Sequence, residues 1–82
     1  MREIEWTESA LEDMAGLDKG TARRVKQAVE RFAHTGAGNV KKLPGLDPPE
    51  YRLRVGDYRV RFYQESKTIQ VLRARNRREA YR

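Results

Sequence analysis

Residues 51–63 read YRLRVGDYRVRFY, two runs of strict alternation separated by the dipeptide Gly56-Asp57. Alternation around a Gly-Asp pair is a strong short-range signal for a two-residue β-hairpin. Such a loop sets Val55 opposite Tyr58, and counting outward pairs Arg54 with Arg59, Leu53 with Val60 and Arg52 with Arg61. Tyr51, Leu53, Val55, Tyr58, Val60 and Phe62 then share one apolar face, and the four arginines share the other. Like charges directly opposite in a sheet repel. A chain that builds such a ladder needs an anion for that face.

With 82 residues the chain has room for one domain, spanning 1–82, and one modest core. It has no cysteine, so packing alone must hold it, and a reducing cytoplasm is its natural setting. No apolar run approaches the roughly 18 residues of a membrane span, and a signal-peptide pattern is lacking, so no membrane association is expected. The net charge of +6 is unevenly spread: residues 1–50 carry eight Lys/Arg against nine Asp/Glu, whereas residues 51–82 carry ten against three. Arginine outnumbers lysine nine to one in that second part. Planar guanidinium groups suit bidentate phosphate contacts and stacking on bases. Nucleic acid is therefore the leading partner by composition, with an acidic protein as the alternative.

Ile4-Glu5-Trp6 reads as a short opening strand, and Thr7 as the cap of a helix with Ala10, Leu11, Met14 and Leu17 along its apolar stripe. After a break at Gly16 and Asp18, a second helix over residues 21–34 places Ala22, Val25, Ala28, Val29 and Phe32 at helical spacing. Glycines at 36 and 38 end it, and the segment to Pro48-Pro49 reads as a punctuated connector without regular structure. Beyond the hairpin, a turn near Glu65-Ser66-Lys67 leads to a further strand over residues 68–75 whose register the sequence leaves open. The order β-α-α-β-β-β predicts a two-layer α+β domain, an antiparallel sheet with an α-hairpin on one face and the arginines on the other.

On that uncovered face Arg52, Arg54 and Arg59 form a candidate phosphate-binding patch, extended by Arg61, Arg73, Arg75, Arg77 and Arg78 and by Lys41 and Lys42 of the connector. Tyr63 and Tyr81 are candidates for stacking on bases. His34, the single histidine, sits near a helix end and is assigned no chemistry. No spaced His/Asp/Glu set points to a metal, no glycine pattern points to a nucleotide loop, and no cofactor is expected. Trp6, Phe32 and Phe62 are assigned to the core.

The segments KKLPG, YRLRVGDYRVRFY and VLRARNRREAYR, following an α-hairpin, together resemble the RelE side of the RelE/ParE toxin superfamily. The resemblance covers most of the chain, its specific part running from Lys41 to Arg82. It implies the toxin of a type II toxin–antitoxin pair: a metal-independent endoribonuclease that cuts messenger RNA in the ribosomal A site and is neutralised in a complex with a RelB-like antitoxin bearing an acidic or amphipathic segment. The family's functional positions fall on Arg52 and Arg54, on Arg59, on Arg77 and on Tyr81. The implied reaction is attack of a ribose 2′-hydroxyl on the adjacent phosphate, with Arg59 and Arg77 stabilising the charge and Tyr81 stacking on the scissile nucleotide. Arginines stand where the best-known members have lysines, and Asn76 stands where a histidine often precedes the last arginine pair. Guanidinium is a poor base at neutral pH, so proton abstraction falls to water, the ribosome, Tyr81 or Glu79. Two other readings stay open: a ParE-like toxin acting on DNA gyrase without cutting RNA, and a basic antitoxin- or nucleic-acid-binding module with weakened catalysis.

Overall fold

The computed structural model describes residues 2–80. Its elements are β1 (Glu3–Trp6), α1 (Glu8–Ala15), α2 (Lys19–Thr35), β2 (Asn39–Lys42), β3 (Tyr51–Val55), β4 (Tyr58–Gln64), β5 (Thr68–Asn76) and α3 (Arg77–Ala80). The strands form one sheet in the order β1-β5-β4-β3-β2. Tyr81, assigned above to stacking, lies outside the described residues.

The first helix begins where the sequence places its cap. Thr7 is extended, and its hydroxyl accepts from the Ala10 amide at 3.1 Å while donating to the Leu72 carbonyl at 3.1 Å. One side chain thus starts α1 and ties it to β5. Asp18 caps α2, starting it two residues earlier than the sequence pattern marks: its carboxylate accepts from the Thr21 amide at 3.0 Å and from the Thr21 hydroxyl at 2.6 Å. Those two bonds, the hydroxyl's first, hold the Asp18 carboxyl below its ordinary value of 3.8. Gly36 ends α2 in the left-handed conformation, φ 75°, its amide donating to the Phe32 carbonyl at 2.8 Å.

Val25, Val29, Phe32 and Ala33 of α2 and Ala10 of α1 are buried against Leu53, Val60, Phe62, Ile69, Val71 and Ala74 of the sheet. The Phe32 and Phe62 rings pack with centroids 5.3 Å apart, and Tyr51 stacks on Phe62 at 5.8 Å. Burying a side chain the size of Phe62 contributes about 1.5–3 kcal/mol, and an aromatic pair adds about 0.5–1.5. Trp6, expected in the core, packs against it while half-buried.

The structure corrects the sequence reading at three places. Leu11 does not join the buried stripe and is 56% exposed. Ala10 and Met14 follow one line along α1, which lies beside β5 and presents only a narrow apolar face, and Leu17 packs on the core just beyond the helix; Leu11 is a quarter-turn away from that line. The segment read as an irregular connector contains β2, which pairs antiparallel with β3 and sets Val40 opposite Leu53. A four-residue edge strand carrying two lysines shows little alternation to detect, and short, charged strands are typical of sheet edges. The sheet is also mixed, because β1 runs parallel to β5 with Ile4 opposite Ile69 and Trp6 opposite Val71. The order is therefore β-α-α-β-β-β-β-α within the expected two-layer α+β class.

The hairpin register is the predicted one, from Val55 opposite Tyr58 to Arg52 opposite Arg61. The β4–β5 ladder, in contrast, contains a bulge: Arg61 opposes Arg73 but Phe62 opposes Val71, leaving Leu72 as the extra residue. Ile69 and Val71 point into the core, and the bulge brings Ala74 rather than Arg73 to the same side. It thereby turns Arg73 and Arg75 to the open face.

Gly38 is the tightest backbone approach among the glycines. Its φ is 152°, and a Cβ there would lie 2.8 Å from Leu53 Cδ1. Gly38→Ala is expected to lower unfolding stability by about 1–3 kcal/mol through overpacking and strain, seen as a lower denaturant midpoint at unchanged slope.

Candidate functional site: the arginine face

Residues directly opposed in a ladder project from the same face, so the registers define two rows across β2, β3, β4 and β5. One row is Asn39, Arg54, Arg59, Arg75 and the next is Lys41, Arg52, Arg61, Arg73. The arginines of the hairpin do converge on the face opposite the helices. Lys42 pairs with Tyr51 and so belongs by register to the helix-facing side, outside the patch to which its sequence assigned it.

Arg59 differs from the rest in being buried, with 7% of its surface exposed. It is folded back on its own hairpin: Nη1 donates to the Gly56 carbonyl at 2.9 Å and to the Tyr58 carbonyl at 3.1 Å. Its Nε is buried with no hydrogen-bond partner among the described residues. Burial, followed by the positive charges of Arg54, Arg52 and Arg77, pushes the Arg59 guanidinium below its ordinary value, with Asp57 opposing. A desolvated cation among cations is a place where an anion would be strongly favoured. The turn beside it is fixed at Gly56, φ 58°, and the Asp57 carbonyl accepts from the Arg77 amide at 2.7 Å. That bond joins the hairpin tip to α3, whose start is further held by Asn76 Oδ1 accepting from the Arg78 amide at 3.1 Å. Asp57, Tyr58, Asn76, Arg77, Arg78 and Glu79 line a cavity of about 690 Å³ at this end of the sheet.

Other arginines of the rows are engaged by carboxylates from elsewhere in the chain. Arg61 donates from Nε to Glu50 Oε2 at 2.9 Å, and its Nη2 meets the same oxygen. Arg73 forks onto Asp13 of α1, Nε to Oδ2 at 2.9 Å and Nη2 to Oδ1 at 3.0 Å; this hydrogen bonding is the first cause of its raised pKa. Arg75 of β5 lies 3.8 Å from Glu79 of α3, four residues on. The repulsion that the sequence left to an external anion is thus partly relieved within the fold, where Arg61 and Arg73 are each engaged by a carboxylate. Tyr63 lies further along the same face, opposite Gln70.

Glu50 and Asp13 were missed because neither neighbours an arginine in sequence. Arg24 was missed as well; it stands on α2, and its Nη2 lies 3.3 Å from where a Cβ of Gly56 would be. Its position within a basic stretch of a helix carried no signal for contact with a turn.

An α-hairpin behind a five-stranded sheet is the fold of RelE-like toxins. The RelE–RelB complex of Pyrococcus horikoshii OT3 contains a chain that superposes with TM-score 0.77 at 24% identity, covering 95% of this chain and 97% of that one. The RelB–RelE antitoxin–toxin complex of Methanococcus jannaschii gives TM-score 0.76 at 22% identity, with 94% of each chain covered. The YoeB dimer of Staphylococcus aureus gives TM-score 0.74 at 18% identity, with 90% and 94% covered. No curated protein sequence matches the chain. The profile of the family described as "ParE toxin of type II toxin-antitoxin system, parDE" matches residues 4–81. The chain belongs to that family, and so is a toxin of a type II toxin–antitoxin system.

Asp13 also accepts from the Ala74 amide at 3.0 Å, so it holds backbone and side chain of the bulged strand together. Asp13→Ala is expected to cost about 1–3 kcal/mol of unfolding free energy, chiefly by leaving that amide unpaired, measured by urea titration. The partly exposed Arg73 adds little to this figure.

Proposed function

We propose that the chain is a ribosome-dependent endoribonuclease that acts in the cytoplasm, cleaves messenger RNA in the A site and is held inactive by its antitoxin. The observation that carries this reading is Arg59, buried beside Arg52, Arg54 and Arg77 with an unpartnered Nε. Arg52 and Arg54 hold the phosphates on either side of the scissile bond. The 2′-hydroxyl oxygen attacks the adjacent phosphorus, a 2′,3′-cyclic phosphate forms, and the 5′-oxygen departs, taking a proton from water. Charge builds on the nonbridging oxygens of the phosphorane, and Arg59 and Arg77 donate to them. Because Arg59 is already desolvated and anchored to its turn, little reorganisation accompanies that step. Arginine does not take the proton of the 2′-hydroxyl; Glu50, which brings a carboxylate to this face, joins water and Glu79 as an acceptor. No metal or cofactor takes part in this scheme. Tyr81 stacks on the nucleotide next to the cut.

An acidic segment of the antitoxin, RelB-like in character, covers the same arginine rows, so the repressed state is a heteromeric complex. A polyanion and an acidic peptide compete for one surface.

The match to the ParE family profile favours a second reading, inhibition of DNA gyrase without RNA cleavage. Purified protein added to ribosomes programmed with message separates them. Cleavage in the A-site codon is expected, falling by about 10²–10³-fold for Arg59→Ala and for Arg77→Ala. Intact message together with inhibited gyrase supercoiling would instead establish the second reading.

A further inference from the structure

Beyond the two arginine rows the open face continues into a third, in which Tyr63 of β4 lies opposite Gln70 of β5, and Gln70 opposite Glu5 of β1. The chemistry changes abruptly there, from guanidinium groups to an aromatic ring, an amide and a carboxylate. A cleft of about 390 Å³ borders this row; besides Glu5, Tyr63 and Gln70 it is lined by Pro48, Pro49, Tyr51, Gln64, Glu65 and Thr68. That volume lies at the lower end of the roughly 300–1,000 Å³ usual for small-ligand sites. No ion pair involving Glu5 or Glu65 occurs among the described residues.

We infer that this cleft is a nucleobase pocket selective for guanine, set beside the phosphate-binding rows. The inference rests on the proposal that the open face binds RNA. Successive same-face residues along a strand are about 7 Å apart. A base at the third row therefore leaves its own phosphate at the second, where Arg52 stands. Tyr63 offers a ring for stacking, and stacking by itself tolerates every base. Discrimination comes from Glu5. A carboxylate only accepts hydrogen bonds, and among the four RNA bases guanine alone presents two adjacent N–H donors on its pairing edge, N1–H and N2–H. The Gln70 amide is placed to donate to O6. A carboxylate here repels phosphate, so it also marks the end of the phosphate track.

The test uses the full chain without ribosomes. GMP, AMP, CMP and UMP are titrated into isotope-labelled protein, following the amide resonances of Glu5, Tyr63 and Gln70. GMP is expected to bind about ten-fold or more tightly than the other three. Glu5→Gln, at an exposed position, is expected to bring the four within about three-fold of one another, whereas Arg52→Ala weakens all four alike. Equal affinities in the wild type, or shifts confined to the arginine rows, overturn the pocket. Saturation of the same resonances by free arginine at lower concentration than GMP also overturns it, assigning the cleft to a basic side chain of a protein partner. Message cleavage without guanine selection would refute the pocket and leave the endonuclease standing; guanine selection without cleavage would do the reverse.

Discussion

A single extra residue in β5 decides which side of the sheet its arginines occupy. Ile69 and Val71 face the helices, and continued alternation would send Arg73 and Arg75 after them into the core. An unpaired guanidinium there is costly by several kcal/mol. The bulge at Leu72 shifts the parity once: Ala74 faces the core, its small side chain opposite Val60, and the arginines turn outward. The bulge in turn depends on α1. β1 ends at Trp6, so the outer edge of β5 is uncovered beyond Val71, and Thr7 and Asp13 satisfy the Val71 and Leu72 carbonyls and the Ala74 amide in its place. A helix end substitutes for the missing length of strand.

The same device tunes the charge of the open face. Asp13 and Glu50 each take one arginine of the second row, the neighbouring Arg73 and Arg61. What remains most cationic is the corner near the hairpin tip, where Arg54, Arg59 and Arg77 gather and, among the described residues, no carboxylate is hydrogen-bonded to Arg59. Positive charge is thus concentrated rather than spread. Concentration matters because a desolvated cluster stabilises developing negative charge far better than solvated cations do.

How much of this was legible follows from the range of the interactions. The hairpin and its register were, because a two-residue turn and strict alternation are local. Thr7 and Asp18 were readable as cap and break for the same reason. β2 was not, since Val40 is the one apolar residue among its four, and its strand character comes from pairing with β3. The bulge was hidden because VLRAR alternates plausibly in either parity until Asp13 and Thr7 choose. Arg59 was correctly placed on the face but its burial was invisible: it arises from the side chain curling onto the carbonyls of its own turn. Glu50 and Asp13 lie 11 and 60 residues from their arginines, beyond any local pattern.

These features bear on how one scaffold serves different targets. The sheet and helices fix only that the open face is cationic; the hairpin tip, α3 and the margin with Glu50 fix what that cation cluster can do. Arg77 reaches the cluster through the bond from its amide to the Asp57 carbonyl, so the position of the terminal segment is set by the turn rather than by the core. Changes at the turn or in the terminal segment can alter the chemistry while leaving the helix-facing core intact. Likeness of fold therefore does not by itself distinguish a nuclease from a toxin that only binds.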